Sequence, residues 1–196
     1  MVNAIARDEK FGKKIGFDLD GVIVDHTKAK ISFLKDHGFV LSEKEVQGDI
    51  IEKLIPEEVG HAMKQFLYDD SHGSLLSPLT YGAEEVFHEI HESHVPYFLI
   101  SRRKNPEAAI KLLKARGIWP MYFNESNTFF VLSKEDKNMK AKELEISHYI
   151  DDEPSVLDKL IDIEHRFLFD PRGAFTLLQE YRRIESWPEF TKVVLV

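Results

Sequence analysis

Two aspartates stand one residue apart where a short apolar segment ends. Residues 15–17 precede Asp18, and one leucine separates Asp18 from Asp20 and the following Gly21. If the apolar segment is a strand of a parallel sheet, both carboxylates lie at its carboxyl edge, where open α/β folds bind ligands. Two like charges this close are costly unless a cation or a function compensates them. A strand end with two solvated aspartates and a turn glycine is the ordinary alternative.

Polar residues also follow two other apolar segments. Ser101 and Arg102 come after the segment that ends at residue 100, and Asp151 and Asp152 come after the one that ends at residue 150. Each has an ordinary interpretation, because a serine can begin a turn and paired aspartates often cap helices. Their joint occurrence at three strand ends indicates one site at the carboxyl edge of a sheet.

Five short apolar segments, rich in β-branched or aromatic residues, are the candidates for the strands that position these side chains. Helical patterns lie between the later four, and near-continuous apolar strands alternating with helices are typical of a parallel sheet covered on both faces. The predicted fold class is therefore α/β with a Rossmann-like sheet. The predicted strands span residues 15–17, 95–100, 128–132, 148–150 and 166–169.

The intervening helices are predicted from apolar spacing and from end signals. Residues 83–90 place apolar side chains at i, i+3, i+4 and i+7, which gives one stripe facing the sheet. Asn105 as N-cap, Pro106 in the first turn and Gly117 past the end delimit the next helix. Two later helices are predicted, from about residue 137 to 146 and from near residue 154.

The first strand departs from this alternation. After Asp25 the chain does not reach the second strand until about residue 95, which is much longer than one crossover helix requires. Helical patterns around residues 31–34, from Ser42 with its capping box, and from Pro56 predict a small helical cap at 27–78. The turn-rich residues 69–74 are predicted to return the chain to the core, which spans 1–26 and 79–196.

Composition excludes several classes of protein. The 196 residues are 43% hydrophobic and 31% charged, so the chain can bury a sizeable core and is expected to fold alone. The absence of cysteine excludes disulfides, zinc fingers and iron-sulfur clusters, and it suits a reducing, cytoplasmic location. A net charge of −8 argues against a nucleic-acid polymer as partner, and no apolar run is long enough to span a membrane. The oligomeric state is not readable from the sequence.

Four segments in order resemble the motifs of the haloacid dehalogenase-like (HAD) superfamily of phosphohydrolases. They are Phe-Asp-Leu-Asp-Gly-Val at 17–22, Ile-Ser at 100–101, Lys137, and Ile-Asp-Asp at 150–152. The resemblance covers nearly the whole chain. The Asp-Asp-Glu-Pro sequence at 151–154, the helix of residues 136–144 and the Trp-Pro-Glu-Phe tail at 187–190 are similar to the 5′(3′)-deoxyribonucleotidase-like branch.

The resemblance implies a role for each motif residue. Asp18 would be the nucleophile that forms an aspartyl-phosphate, and Asp20 would protonate the leaving oxygen and later activate water. Ser101 and Lys137 would bind the transferring phosphoryl group, with Lys137 also neutralising Asp18. Mg²⁺, which prefers oxygen ligands, is the expected cofactor. Its predicted ligands are the side chains of Asp18 and Asp151, the backbone carbonyl of Asp20, and Asp152, which would bind directly or through water.

Some assignments stay open at the level of sequence. Lys134, Lys140 and Lys142 compete with Lys137 for the lysine role, and Lys137 is preferred because the family pattern places it at the start of a helix. Arg102 and its neighbour Arg103 could clamp a substrate phosphate or cap a surface loop. The aromatic side chains of the cap are candidates for stacking on a base; they are Phe33, Phe39, Phe66 and Tyr68.

The resulting expectation is a Mg²⁺-dependent phosphomonoesterase that acts on a small phosphorylated metabolite, such as a (deoxy)nucleoside monophosphate. Substrate would enter between core and cap. The alternatives are a phosphomutase, which shares the aspartyl-phosphate step, and a catalytically silent protein that binds a phosphorylated ligand. The silent alternative is disfavoured because every catalytic position of the four motifs is still present.

Overall fold

A single parallel sheet organises the computed structural model, which describes residues 12–69, 72–176 and 180–195. Its six strands lie in the order β3-β2-β1-β4-β5-β6. Every neighbouring pair is parallel. The predicted α/β class is thereby confirmed. The strands are β1 (Ile15–Phe17), β2 (Tyr97–Ser101), β3 (Thr128–Phe130), β4 (His148–Asp151), β5 (His165–Phe169) and β6 (Arg182–Ile184).

Helices cover the sheet and fill the long connection after β1. Among the helices of the described segments, none combines the length and apolar character that a bilayer crossing needs. The predicted stripe of residues 83–90 is buried in α4. The α-helices are α1 (Thr27–Asp36), α2 (Glu57–Lys64), α3 (His72–Leu75), α4 (Ala83–Glu92), α5 (Pro106–Ala115), α6 (Lys134–Glu143), α7 (Pro154–Leu157) and α8 (Trp187–Val194).

The first strand lies in the middle of the sheet and is fully buried. Phe17 is in register with Leu99 of β2 on one side and with Ile150 of β4 on the other. The residues after these strands therefore emerge at the same edge. This register is what brings Asp18 close to the aspartates that end β4.

The connection from β1 to α4 is a helical insert with its own apolar cluster. The chain leaves the core at Val24 and returns at Leu79, and these two residues form an antiparallel bridge. The insert comprises α1, a 3₁₀ helix (Gly48–Lys53), α2, a π-helical turn (Gln65–Asp69) and α3. Residues 70 and 71 of the predicted return turn, and 1–11 of the predicted core, lie outside the described part. The buried cluster of the insert contains Ala29, Leu34, Val46, Ile51, Met63 and Leu67.

Four elements differ from the sequence-based expectation. The helix expected from Ser42 is a turn followed by the 3₁₀ helix, because Gly48 has a positive φ of 38° that interrupts an α-helix. α6 begins at Lys134 instead of near Lys137, since Ser133 and Asp136 form a reciprocal capping box. β3 ends at Phe130, and β6 was not predicted.

Candidate active site

Three buried carboxylates meet at the carboxyl edge of the sheet. Asp18 follows β1, and Asp151 and Asp152 lie at the end of β4. Each offers an oxygen that lies within 4.8 Å of the others, and their residues are only 8%, 1% and 7% exposed. The structure thus brings together the three side chains that the sequence predicted as metal ligands.

Gly21 allows the two aspartate-bearing segments to approach each other. Its φ is +86°, and a Cβ built on it would lie 2.1 Å from Oδ2 of Asp152. Any side chain at this position would displace Asp152 and would also strain the backbone. The glycine of the first motif is therefore required by the position of an aspartate in the fourth.

Lys137 supplies a positive charge between two of the carboxylates. Its Nζ donates to Oδ1 of Asp18 at 2.5 Å and to Oδ2 of Asp151 at 2.7 Å, and the residue is fully buried. Lys137 lies in the first turn of α6, which the capping box at Ser133 fixes. The second oxygen of Asp18 accepts from the backbone amide of Asp20 at 2.9 Å, so both oxygens of Asp18 are oriented.

The competing lysines form other contacts. Lys134 donates to the hydroxyl of Ser155, Lys140 pairs with Glu143 at 2.5 Å, and Lys142 pairs with Asp162 at 2.9 Å. Of these four lysines, Lys137 alone forms a salt bridge with a member of the buried carboxylate cluster within the described chain, and it pairs with Asp18 and Asp151. The geometry therefore favours the predicted choice of Lys137.

Burial and mutual repulsion raise the pKa values of the clustered carboxylates. Burial, aided by the charges of Asp151 and Asp20 and opposed by Lys137, raises the pKa of Asp18 to about 6. Burial and then neighbouring carboxylates raise the pKa of Asp152 well above its usual value. Lys137 pairs with two of the three acids, and a divalent cation with oxygen ligands would balance the remaining negative charge. The donor set fits Mg²⁺.

Asp20 has a different environment from its neighbours. Arg103 donates to it through Nε, 2.9 Å from Oδ2, and through Nη2, 2.6 Å from Oδ1. His26 Nε2 lies 2.6 Å from the same Oδ1. Burial alone would raise the pKa of Asp20, but the charge and hydrogen bonds of Arg103 and His26 outweigh it and lower that pKa. Asp20 is thus held as an ionised acceptor.

Sequence reasoning did not identify His26. Its Nδ1 lies 2.7 Å from Oγ of Ser77, on the segment that returns from the insert, and the ring is 1% exposed. Since a carboxylate can only accept, Nε2 donates to Asp20 and Nδ1 can accept from the serine hydroxyl. No spacing rule connects residues 26 and 77, so the sequence carried no signal for this contact.

Ser101 and Arg102, the remaining predicted residues, lie at the same edge but outside the carboxylate cluster. Ser101 is buried, and its Oγ accepts from the backbone amide of Arg103 at 3.3 Å. Arg102 pairs with Glu153 at 2.5 Å. Within the described residues, no hydrogen bond joins either side chain to the three aspartates. Arg102 lines the adjoining cavity, where it can reach a ligand.

A cavity of about 490 Å³ opens above the carboxylates, a volume typical of small-molecule sites. Core and insert both line it, the insert through Lys30, Gln65 and Tyr68. Of the four aromatic residues proposed to stack on a base, Tyr68 lines the cavity. Phe33 and Phe66 stack on each other at 5.3 Å, and Phe39 packs against the cluster of the insert.

Comparisons with known proteins agree with this architecture, although no protein-family model matches the chain. A Bacillus cereus protein described as a "Putative nucleotidase" is 25% identical over 202 residues, covering 92% of this chain and 97% of its own. A HAD family hydrolase from Deinococcus radiodurans, solved with bound phosphate and sodium, has a TM-score of 0.66 at 15% identity and covers 95% of this chain and 96% of its own. A Bacillus subtilis "putative HAD-hydrolase" bound to magnesium has a TM-score of 0.62 at 12% identity, covering 94% and 99%. The solved structures show a shared fold.

Proposed function

We propose, from the HAD-like fold that this chain has and from the chemistry at its sheet edge, that the protein is a Mg²⁺-dependent phosphomonoesterase. The observation that carries the proposal is the oriented carboxylate of Asp18, hydrogen-bonded to Lys137 within the buried cluster and open to the cavity. A nucleophile beside a neutralising cation is what phosphoryl transfer requires.

In the proposed reaction an oxygen of Asp18 attacks the phosphorus in line with the leaving group. The bond from phosphorus to the leaving oxygen breaks, and an aspartyl-phosphate remains. Water then attacks that phosphorus, which releases phosphate and regenerates the carboxylate. Lys137 neutralises charge on Asp18 and on the phosphoryl oxygens, and the hydroxyl of Ser101 would donate to one of those oxygens.

Asp18, Asp151 and Asp152, with the backbone carbonyl of Asp20, would hold Mg²⁺. When bound, the ion would neutralise negative charge on the phosphoryl group and help to position it.

The proton transfers are assigned to Asp20. In the second step it would take a proton from the attacking water, and its ionised state is the one from which this step begins. To hold a proton in either step, it must leave the guanidinium, because that pairing keeps its pKa low.

We further propose that residues 27–78 act as a cap over this site. The insert and the core meet across the cavity, and both contribute side chains to its wall. Gly48 of the insert approaches the core closely, since a Cβ on it would lie 2.6 Å from the carbonyl oxygen of Asp152. Substrate bound between the two would be shielded from bulk water during transfer.

The test of the activity is a screen of small phosphoesters, including nucleotides and sugar phosphates, with Mg²⁺ and with EDTA. Metal-dependent release of inorganic phosphate is the expected result. Transfer of the phosphoryl group within a sugar phosphate, without release of phosphate, would instead identify a phosphomutase. Binding without any turnover would identify a silent protein.

Replacing Asp20 by Asn should slow turnover by roughly 10² to 10⁴, the usual contribution of a general acid or base. The loss should be larger for alkyl phosphates than for p-nitrophenyl phosphate, whose leaving group needs no proton. Mg²⁺ affinity should persist, because the Asp20 carboxylate faces Arg103 and His26. Steady-state kinetics and a Mg²⁺ titration check both points. If Mg²⁺ affinity is lost while kcat at saturating Mg²⁺ is unchanged, the Asp20 side chain binds the metal and does not transfer the proton.

Mg²⁺ should stabilise the fold because it balances the buried acids. At a concentration about 100 times its Kd, the ion adds about 2.7 kcal/mol, or a Tm increase of roughly 5 to 10 °C for a chain of this size. Differential scanning fluorimetry with Mg²⁺ and EDTA measures the shift. Asp152→Asn should reduce the shift, and Asp162→Asn, at a surface ion pair, should keep it. Equal shifts in both variants would contradict the proposed site.

Nucleoside monophosphates, particularly deoxy forms, should be hydrolysed more efficiently than sugar phosphates. The support is the name of the 25% identical relative and the place of Tyr68 in the cavity wall. Stacking of one base on an aromatic ring is worth roughly 1 to 3 kcal/mol, which changes kcat/KM by about tenfold or more. Values of kcat/KM at equal Mg²⁺ decide this. If kcat/KM for sugar phosphates equals or exceeds that for nucleotides, the proposed nucleotide substrate is wrong. The proposed phosphatase activity, which rests on other residues, is unaffected by that result.

A further inference from the structure

Lys30 is a buried cation in the wall of the cavity, and its charge acts on Asp152, where it opposes the effect of burial on the pKa of that carboxyl. It lies on α1 and is 9% exposed. Its Nζ donates to the carbonyl of Val46 at 3.2 Å, and no carboxylate of the described residues pairs with it. A buried ammonium group has three donors and is costly without an anion. Lys30 therefore has donors to spare at a surface that ligands reach.

Arg103, on the core side of the same cavity, also has an unused donor. The residue is 3% exposed, and its Nε and Nη2 hold Asp20. Its Nη1 is buried and has no hydrogen-bond partner among the described residues. Tyr68 of the insert covers the guanidinium, with 5.0 Å between the guanidinium carbon and the ring centre. One edge of Arg103 is thus occupied, and Nη1 remains for a ligand.

His26 contacts Arg103 through its side chain and Lys30 through the backbone. Its Nε2 lies 3.4 Å from Nη2 of Arg103, and its carbonyl accepts the amide of Lys30 one helical turn later. Burial and the charges of Arg103 and Lys30 outweigh Asp20 and lower the pKa of His26. Lys30 and Arg103 line one cavity, and each has an unused donor.

We propose that Lys30 and Arg103 form a second anion subsite, and that the preferred substrate carries a second oxyanion on its leaving group. The transferring phosphoryl group would be bound by Lys137, Ser101 and the metal, so the donors of Lys30 and Arg103 remain for another group of the substrate. The cavity has room for a leaving group beyond the phosphoryl group itself. The inference rests on the proposed function and narrows it.

The chemistry of the subsite accepts a carboxylate or a phosphate, because lysine and arginine donors bind both. Among nucleotides it favours a nucleoside 3′,5′-bisphosphate over the 5′-monophosphate. Among simple esters it favours 2-phosphoglycolate over ethyl phosphate. In each pair the two compounds differ by the presence of the second anion, and the two pairs separate phosphate from carboxylate.

The experiment compares kcat/KM within each pair for the wild-type protein and for Lys30→Met, at constant ionic strength. The wild type should prefer the compound with the second anion in at least one pair. Lys30→Met should reduce kcat/KM for that compound roughly tenfold to hundredfold through KM, the value of one charge-assisted hydrogen bond. The kcat/KM of Lys30→Met for the compound without the second anion should equal that of the wild type. Lys30→Arg should retain the preference, and Lys28→Met, at an exposed position of α1, should behave as wild type.

Binding to the Asp18→Asn variant tests the subsite separately from turnover. Isothermal titration of this variant with each pair should give tighter binding of the compound with the second anion, and Lys30→Met should remove that difference. Equal efficiency and equal affinity within both pairs would overturn the inference, as would a Lys30→Met loss that is the same for both members of a pair. If no phosphoester is hydrolysed but the difference in affinity persists, the proposed function fails and the subsite stands.

Discussion

Asp18→Asn should abolish turnover and leave the fold intact. The substitution exchanges one carboxylate oxygen for nitrogen, so the volume is kept while the nucleophile and a predicted metal ligand are lost. The expected fall in kcat is at least about 10⁴-fold, in the range seen when a catalytic nucleophile is removed. The best phosphoester of the screen, assayed at saturating Mg²⁺, provides the measurement.

The stability of the same variant gives an independent test. Asp18, Asp151 and Asp152 repel one another in a buried site, and the amide removes one of these three charges. In EDTA, the Tm of Asp18→Asn should therefore equal or exceed that of the wild type. Asp36→Asn, at the exposed end of α1, is the control for replacing an aspartate by asparagine. It should change neither kcat nor the Tm. Substantial activity in Asp18→Asn would refute the proposed mechanism.

Lys137→Met should destabilise the protein and slow catalysis. Without the ammonium group, Asp18 and Asp151 lose the cation that lies 2.5 and 2.7 Å from them. Removing one partner of a buried ion pair costs about 3–5 kcal/mol, and losing a charge that stabilises the transition state typically costs about 10² to 10³ in kcat. Urea unfolding in EDTA measures the first effect, and kcat at saturating Mg²⁺ measures the second.

Mg²⁺ separates the two roles of Lys137. The ion should restore part of the lost stability, since it also neutralises the carboxylates, but it should not restore kcat. Lys140→Met is the matched control from the same helix, because Lys140 pairs with Glu143 away from the cluster. If Lys140→Met loses the activity and Lys137→Met keeps it, the lysine has been assigned wrongly.

The central strands of the fold could be predicted because their sequences are buried on both faces. Ile15–Phe17 is apolar or small throughout, so the sequence alone indicates a buried strand, without knowledge of the neighbouring strands. β6 is different: it is an edge strand of two arginines and Ile184, and only the isoleucine is buried. Pairing with β5, which sequence spacing does not record, makes it a strand. The start of α6 was expected three residues too late, although the spacing of Ser133 and Asp136 is that of a capping box and could have indicated it.

The candidate site likewise contains residues whose positions could be predicted and contacts that could not. The positions of Asp18 and of Asp151 follow from the ends of two apolar strands, because parallel register alone brings such ends together. The pairing of Asp20 with Arg103 spans 83 residues and depends on how the chain turns after β2. Lys30 gave no signal either, since its burial depends on the packing of α1 against Val46. The meeting of strand ends at one edge of the sheet could be predicted, and side-chain partners across loops could not.

The bridge between Val24 and Leu79 has an evolutionary consequence. It places the two ends of an excursion of about fifty residues beside each other, as the ends of a short turn would be. By loop-closure entropy, the long excursion costs only about 2 kcal/mol more than a turn of four residues, and its own apolar cluster can offset that cost. Substitutions within the excursion can therefore leave the sheet unchanged, provided that they spare its contacts with the core, such as that of Gly48 with Asp152. Substrate range can diversify there while the chemistry at the strand ends is inherited unchanged.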